Sequence, residues 1–291
     1  CYRLYDRDLP DFPLAIDRYA EHVHLQEYAT AWEAEEDEYQ AWREACFQTV
    51  EAVLELPRER IHFKQRRRQR GTAQYEKTGE AGEDFVVEEQ GLKFWVNLDA
   101  YLDSGLFLDH RNTRRMVRER AAGKRFLNLF AYTGSFTVYA AAGGAVASVT
   151  VDMSNTYQEW SRRNFELNGL DPEQHTLVRA DVFQYLADAF WRREQYDLIV
   201  MDPPSFSNSK KMQGVLDVQR DHVALIRGCL RLLAPGGELF FSNNRRGFKL
   251  DAEALAGCAI RDISRQTVPE DFSNKKIHQC WIIRHGNEPK E

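Results

Sequence analysis

Short apolar runs alternate with helix-length amphipathic stretches through the last two-thirds of the chain, and each run stops on a turn or an acid. Residues 126–130, Phe-Leu-Asn-Leu-Phe, have strand length, Ala131 to Ser135 form a turn, and Phe136 to Ala142 read as a small-residue helix that Gly143-Gly144 ends. Residues 148–151 predict a second strand ending on Asp152, 177–181 a third ending on Asp181, and 197–202 a fourth that runs into Pro203-Pro204. Pro235-Gly236-Gly237 turns the chain into a fifth, 238–242. Helices are expected over 111–122 with Asp109 as N-cap, 156–168 closed by Gly169, 183–193 and 218–233. Trp160 and Phe165 are expected to pack on the sheet. Strands alternating with helices build a parallel α/β sheet.

The first third has another pattern. Strands are expected at 15–19 and 22–28, then a helix from Trp32 to Leu56 that puts Tyr39, Trp42, Cys46, Val50, Val53 and Leu54 on one face. Glu33, Glu35, Glu36, Asp37 and Glu38 suit its positive N-terminal end, and Pro57 stops it. Residues 84–89 and 92–98 alternate around Gly91 as a β-hairpin. These features divide the chain into an N-terminal α+β module, 1–98, and a second domain, 99–291.

Composition changes this picture little. The chain has 291 residues, 43% hydrophobic and 29% charged, which is ordinary for a globular protein and too apolar for disorder. A net charge of −6 requires that any nucleic-acid contact come from a local basic patch. Such a patch exists: Lys64, Arg66, Arg67, Arg68 and Arg70 crowd the run from Ile61 to Arg70, ahead of a polar, glycine-containing stretch suited to a loop that grips RNA. A solvated charged face is the plainer alternative. Five scattered cysteines with no C-x-x-C argue against a disulfide framework and a zinc site, so no metal is expected. No run spans a bilayer and no signal peptide opens the chain, so a cytoplasmic location without membrane contact is expected. The opening Cys1 reads as the start of an excised domain.

The turn at 131–135 carries the chemistry. A strand, a tight turn and a helix form the first unit of a nucleotide-type fold, whose ligand lies beyond the strand's carboxyl end. The turn holds one glycine, Gly134, so it is not G-x-G-x-x-G, and no Gly-Lys-Ser/Thr closes a phosphate loop. Asp152, some 20 residues on, suits a ribose diol. A ribose acid beside a non-phosphate loop points to a nucleoside without phosphates, of which S-adenosylmethionine is the common one; a βαβ unit that binds nothing is the alternative. Asp181 is placed for an adenine edge. Three strands each ending on an acid is poor packing chemistry, and good site chemistry if the ends share a crevice.

The motifs NLFAYTGSFT, VDMS, RADVF and DPPSFSNSK resemble those of class I S-adenosylmethionine-dependent methyltransferases. With GLFLDHR, SNNRRGF, CYRLYDRDLPDFPLAIDRY and KKIHQCWII, the likeness covers nearly the whole chain and extends to the guanine-N7 half of the bifunctional K/L type of large-subunit rRNA methyltransferase. It implies a Rossmann-like class I methyltransferase sheet beside the smaller N-terminal module, with 260–267 and 278–283 as strands of an antiparallel edge. The implied cofactor is S-adenosylmethionine. Its expected contacts are Asn128, Tyr132, Thr133, Gly134 and Ser135 of the first motif, Asp152, Met153 and Ser154 of the second, Asp181 and Val182 of the third, and Asp202, with Phe107 and Arg111 near the methionine end. Phe107 and Leu108 stapling the next helix is the alternative. Implied partners are large-subunit rRNA and, in a longer chain, a second methyltransferase half.

Methyl transfer is an in-line displacement at the sulfonium carbon. Cytosine C5 needs a cysteine thiolate to add to the ring first. Relatives of that type carry it just after the fifth strand, where this chain has Ser242-Asn243-Asn244. Guanine N7 offers a lone pair, so positioning suffices. The catalytic candidates are therefore Asp202 and Pro203 beside the methyl donor, Phe206 stacking the base, and Asn243 on the purine edge, with a turn role as the alternative for Asn243. Lys210, Lys211, Arg245 and Arg246 join the basic run as candidate RNA contacts. The competing readings are another RNA base atom, a small-molecule methyltransferase, or a non-catalytic RNA-binding module.

Overall fold

The computed structural model describes residues 1–28, 35–66, 82–101, 103–207 and 215–286. Two compact units emerge, one of Cys1–Glu88, Val96–Ser104 and Glu270–Asn274, the other of Glu89–Trp95, Gly105–Pro269 and Lys275–Glu291.

In the first unit, strands β1 (Tyr2–Asp6), β2 (Leu14–Tyr19) and β3 (His22–Tyr28) run antiparallel. Helix α1 (Glu36–Leu54) then returns the chain to β4 (Ile61–Arg66), parallel to β3. Leu14, Val23, Leu25, Ile61, Cys46 and Val50 form its core. β1 escapes the apolar pattern because it buries charge: Arg3 and Asp6 are interior, and Arg3 forks onto Asp17 of β2 at 2.8 and 3.0 Å. An Arg–carboxylate fork satisfies donors that would otherwise be costly to bury. Strands β5 (Phe85–Glu89) and β6 (Leu92–Val96) form the expected hairpin. Gln90 (φ 52°) and Gly91 (φ 80°) take the two left-handed positions that a two-residue hairpin turn needs.

The second unit is a seven-stranded sheet. After α2 (Arg111–Arg118) come β7 (Arg125–Leu129), α3 (Ser135–Ala142), β8 (Ala147–Asp152), α4 (Asn155–Leu167), β9 (His175–Arg179), α5 (Val182–Trp191) and β10 (Tyr196–Met201). The two-residue strands β11 (Phe206–Ser207) and β12 (Leu216–Asp217) pair with each other. Then follow α6 (Val218–Leu232), β13 (Leu233–Asn243), β14 (Cys258–Asp262), α7 (Ser264–Thr267) and β15 (Gln279–His285). The order is β14-β15-β13-β10-β7-β8-β9, with β9 to β13 parallel and β15 and β14 antiparallel.

Period-2 alternation splits the core in two. Phe126, Leu198, Val200, Phe240 and Ile282 face one apolar cluster with Met116, Val117, Phe136 and Ala140, while Leu127, Leu129, Ile199, Met201, Leu239, Phe241 and Ile283 face another with residues of α5 and α6. Two expectations are corrected. The third strand ends at Arg179, and Asp181 caps α5 instead, accepting from the Gln184 amide at 3.1 Å. The stretch 260–267 is not one strand: Asp262 Oδ1 accepts from the Ser264 amide at 2.8 Å and starts α7. No helix among the described residues is long and apolar enough to cross a membrane.

Candidate active site

Strand order reverses between β7 and β10, and at such a switch point the loops after the two strands part to leave a crevice. The loop after β7 is strained. Phe130 (φ 55°), Tyr132 (φ 53°) and Gly134 (φ 73°) are left-handed, a conformation that costs bulky residues roughly 1–3 kcal/mol each. The surroundings compel it. Ala131 N donates to Val151 O at 3.1 Å, Ser161 Oγ donates to Tyr132 O at 3.1 Å, and Asn164 Nδ2 donates to Thr133 O at 2.9 Å. Thr133 Oγ1 donates to Gly105 O at 2.7 Å, and Gly105 N donates to the Tyr132 hydroxyl at 2.8 Å. At Gly134 a Cβ would lie 2.8 Å from the Phe165 ring, so only glycine lets α4 approach this closely.

Asp152, at the end of β8, completes the loop. Its Oδ2 accepts from Tyr132 N at 3.0 Å and its Oδ1 from Ser154 N at 2.9 Å. A carboxylate accepts about four hydrogen bonds, so roughly one site per oxygen remains, which fits a pair of hydroxyls. The carboxyl edge is partly accessible, but its surroundings are those of the interior. Burial pushes its pKa up to about 6 against the pull of the backbone amides of Ser154, Tyr132 and Met153.

Asp202 directly follows β10. Ser242 Oγ donates to its Oδ1 at 2.6 Å, and His110 Nε2 stands 3.4 Å from its Oδ2. The His110 ring stacks on His278, 4.3 Å between centroids with planes 9° apart. His278 donates from Nδ1 to Asp109 Oδ2 at 3.0 Å, and its Nε2 meets Thr267 Oγ1 at 2.9 Å. Asp109 therefore does not cap α2 as expected. It lies in the 3₁₀ turn Leu108–His110, and its carboxylate holds His278. Burial alone would raise Asp109, but His110 and the His278 hydrogen bond hold it well below the usual carboxylate range. Burial lowers His110, against the pull of Asp202. Asp109, His110 and His278 bring possible metal-ligating atoms within 4.8 Å of one another. Both nitrogens of His278 are already engaged and Nε2 of His110 faces Asp202, so this is a hydrogen-bonded cluster.

Around these acids, Asn243 is 1% exposed and ends β13; its Oδ1 accepts from Arg245 N at 3.1 Å, while its buried Nδ2 has no partner among the described residues. Pro203 is buried, and Phe206 is 53% exposed. Ser205 Oγ donates to Asn244 Oδ1 at 2.8 Å. Phe107 is exposed and its ring lies 4.9 Å from that of Tyr132. Ser135 opens α3, Arg111 opens α2, and Ser154 caps α4 through Tyr157 N. Met153 O accepts from Arg179 at 3.4 Å, and Val182, the first residue of α5, is buried in the core. Asn128 points to α3, donating to Thr137 Oγ1 at 3.1 Å.

The basic candidates divide. Lys64 is buried and donates to the Tyr101 carbonyl, and Arg66 donates to Gln26 and faces Asp103 at 3.4 Å. Arg245 pairs with Asp217, and Arg246 is exposed. Arg67, Arg68, Arg70, Lys210 and Lys211 lie outside the described residues. Trp160 is a scaffold residue, donating from Nε1 to Trp95 O at 2.8 Å. Nothing local in the sequence marks what His110, His278, Ser161 or Asn164 touch, although the two histidines stand in the GLFLDHR and KKIHQCWII motifs.

The family model described as S-adenosylmethionine-dependent methyltransferase matches residues 8–275. Ribosomal RNA large subunit methyltransferase K of Neisseria meningitidis serogroup B is 62% identical over 98% of this chain and 80% of that protein. Ribosomal RNA large subunit methyltransferase K/L of Methylococcus capsulatus is 51% identical over 97% of this chain, which spans only 39% of that protein's length. The crystal structure of SMU.776, a putative methyltransferase complexed with SAH, superposes with a TM-score of 0.77 at 29% identity, over 97% of this chain and 74% of that one. The chain belongs to the S-adenosylmethionine-dependent methyltransferase family, alongside the large-subunit ribosomal RNA methyltransferases K and K/L.

Proposed function

We propose that this chain methylates N7 of a guanine in large-subunit (23S) ribosomal RNA by direct in-line displacement. S-adenosylmethionine supplies a methyl group on a sulfonium, and the chain has to hold and orient the two reactants. Asp152 takes the ribose hydroxyls, Asp181 and Val182 flank the adenine, the Tyr132–Ser135 turn approaches the cofactor, and Phe107 and Arg111 stand toward its methionine end. Asp202 and Pro203 border the methyl group, and exposed Phe206 stacks the base.

The observation that carries the reading is the carboxyl end of β13. Where a C5 enzyme would need a thiolate, Ser242 is bonded to Asp202 and Asn243 presents a buried amide donor without a partner among the described residues. Guanine offers O6 beside N7 as an acceptor for such a donor. All five cysteines are free thiols, but burial raises Cys46 to about 11 and holds Cys229, Cys258 and Cys280 above their ordinary range, the wrong direction for a nucleophile. N7 needs no base, because its lone pair attacks and no proton leaves. The names of the relatives support ribosomal RNA as the substrate class.

The direct test digests unmodified 23S transcript after incubation with the protein and S-adenosylmethionine, and reads the modified nucleoside by mass spectrometry. 7-Methylguanosine is expected; a methyl on cytosine or on an exocyclic amine rejects the reading. We further propose that residues 1–98 form the RNA-facing module. Replacing Arg67, Arg68 and Arg70 with glutamine should reduce the slope of log affinity against log salt by about 2–3, at roughly 0.7–0.9 per lost phosphate contact. Arg66 is left in place because it holds Gln26 inside its unit. An unchanged slope means the run is surface decoration.

A further inference from the structure

We propose that His110 is a positioning residue for methyl transfer, orienting the Asp202 carboxylate from the side opposite Ser242. This rests on the reading that Asp202 borders the methyl donor.

A carboxylate only accepts, so we assign the hydrogen to the His110 nitrogen that faces Asp202 Oδ2, Nε2, across 3.4 Å, a polar contact longer than a well-formed hydrogen bond. Nδ1 is then the acceptor, and Thr113 Oγ1, one turn along α2 and 3.3 Å away, supplies the proton. The ring plane is fixed independently. His278 stacks on one face, itself held by Asp109 and Thr267, and Phe136 meets the ring edge-on at 5.7 Å. Ser242 Oγ takes the other carboxylate oxygen at 2.6 Å. Asp202 is thus hydrogen-bonded at one oxygen by Ser242 and faced at the other by His110, whose ring is held by its neighbours. Its own strand supplies neither of them: Ser242 is on β13 and His110 on the 3₁₀ turn before α2.

Such a grip matters for a reaction without acid or base. The rate then depends on where the attacking lone pair and the methyl carbon meet, and a carboxylate free to rotate would contact the incoming base in several ways. Loss of the His110 donor should slow the bound complex and leave cofactor affinity alone, because the ribose acid, Asp152, belongs to another strand.

The test compares single-turnover methyl incorporation into unmodified 23S transcript, counted at any atom so that the identity of the target does not enter. Asp202→Asn, His110→Phe, His110→Gln and Thr113→Val are measured on the full chain, each with its affinity for S-adenosylmethionine by calorimetry and its thermal midpoint. His110→Phe keeps an aromatic ring on His278 but has no N–H, whereas His110→Gln keeps a donor near the Nε2 position. The expected result is about tenfold slower transfer for His110→Phe with cofactor affinity unchanged, recovery to within about threefold in His110→Gln, and a smaller loss for Thr113→Val that vanishes in the His110→Phe background. Equal losses in Phe and Gln, loss that follows cofactor affinity or the thermal midpoint, or wild-type rate in His110→Phe would each overturn the proposal. If Asp202→Asn is silent, the role of Asp202 falls and that of His110 with it. If Asp202→Asn is slow and His110→Phe is not, only the His110 proposal fails.

Discussion

Asp152→Ala should weaken S-adenosylmethionine binding by about 100-fold or more, read by calorimetry. Two hydrogen bonds from hydroxyls to a carboxylate are lost, and bonds to a charged group contribute about 1.5–3 kcal/mol each. The substitution also frees Tyr132 N and Ser154 N, which Asp152 now holds at 3.0 and 2.9 Å, so the left-handed turn loses one of its restraints. A companion measurement needs no mutation. The free carboxyl titrates at about 6, and only the ionised form accepts from both hydroxyls. Affinity should hold steady above about pH 7 and fall roughly tenfold by about pH 5, a dependence that Asp152→Ala abolishes. Stability runs the other way. A carboxyl whose folded pKa lies above its unfolded value of 3.8 adds stability in acid and loses it as pH rises through about 6. The acid is held in its ionised, less stable state so that it can bind. Unchanged affinity in Asp152→Ala would remove it from the cofactor site.

Gly105→Ala should lower the thermal midpoint by on the order of 10 °C, with cofactor binding weakened in parallel. The position has φ +99°, and an added Cβ would stand 2.3 Å from Trp160 Cζ2. A left-handed alanine costs about 1 kcal/mol and overpacking a further ~1–3 kcal/mol. For a chain of this size each kcal/mol moves the midpoint by about 2–4 °C. Trp160 cannot yield easily, because its Nε1 is bonded to Trp95 O at 2.8 Å. Gly105 also makes two bonds to the turn, from Thr133 Oγ1 and to the Tyr132 hydroxyl, so a shift there reaches the cofactor loop. A variant that melts within about 2 °C of the parent and binds normally would show that this contact relaxes without consequence.

The alternating sheet was legible because its signals are local. Leu198 to Met201 is an unbroken apolar run whose side chains turn out to face two different clusters, the pattern of a strand buried on both sides. The strand β1 was not legible, since its interior positions are Arg3 and Asp6, and their pairing with Asp17, with Arg7 and with each other makes that burial tolerable. Asp181 shows the limit of reading strand ends: two residues separate it from β9, and a side chain that could meet a ligand also serves as a helix cap. The stretch 260–267 kept strand-like residues, but Asp262 offered the backbone a competing hydrogen bond and ended the strand.

Residue order alone determined the alternation of strands and helices, the glycine turn after β7, and the acids that close the second and fourth strands, because each depends on neighbours a few positions apart. Tertiary structure alone decided which groups answer those acids. His110 reaches Asp202, His278 reaches Asp109, and Gly105 reaches Thr133 only after the sheet has assembled, and a hydrogen bond between residues far apart in the chain leaves no periodic trace in its sequence.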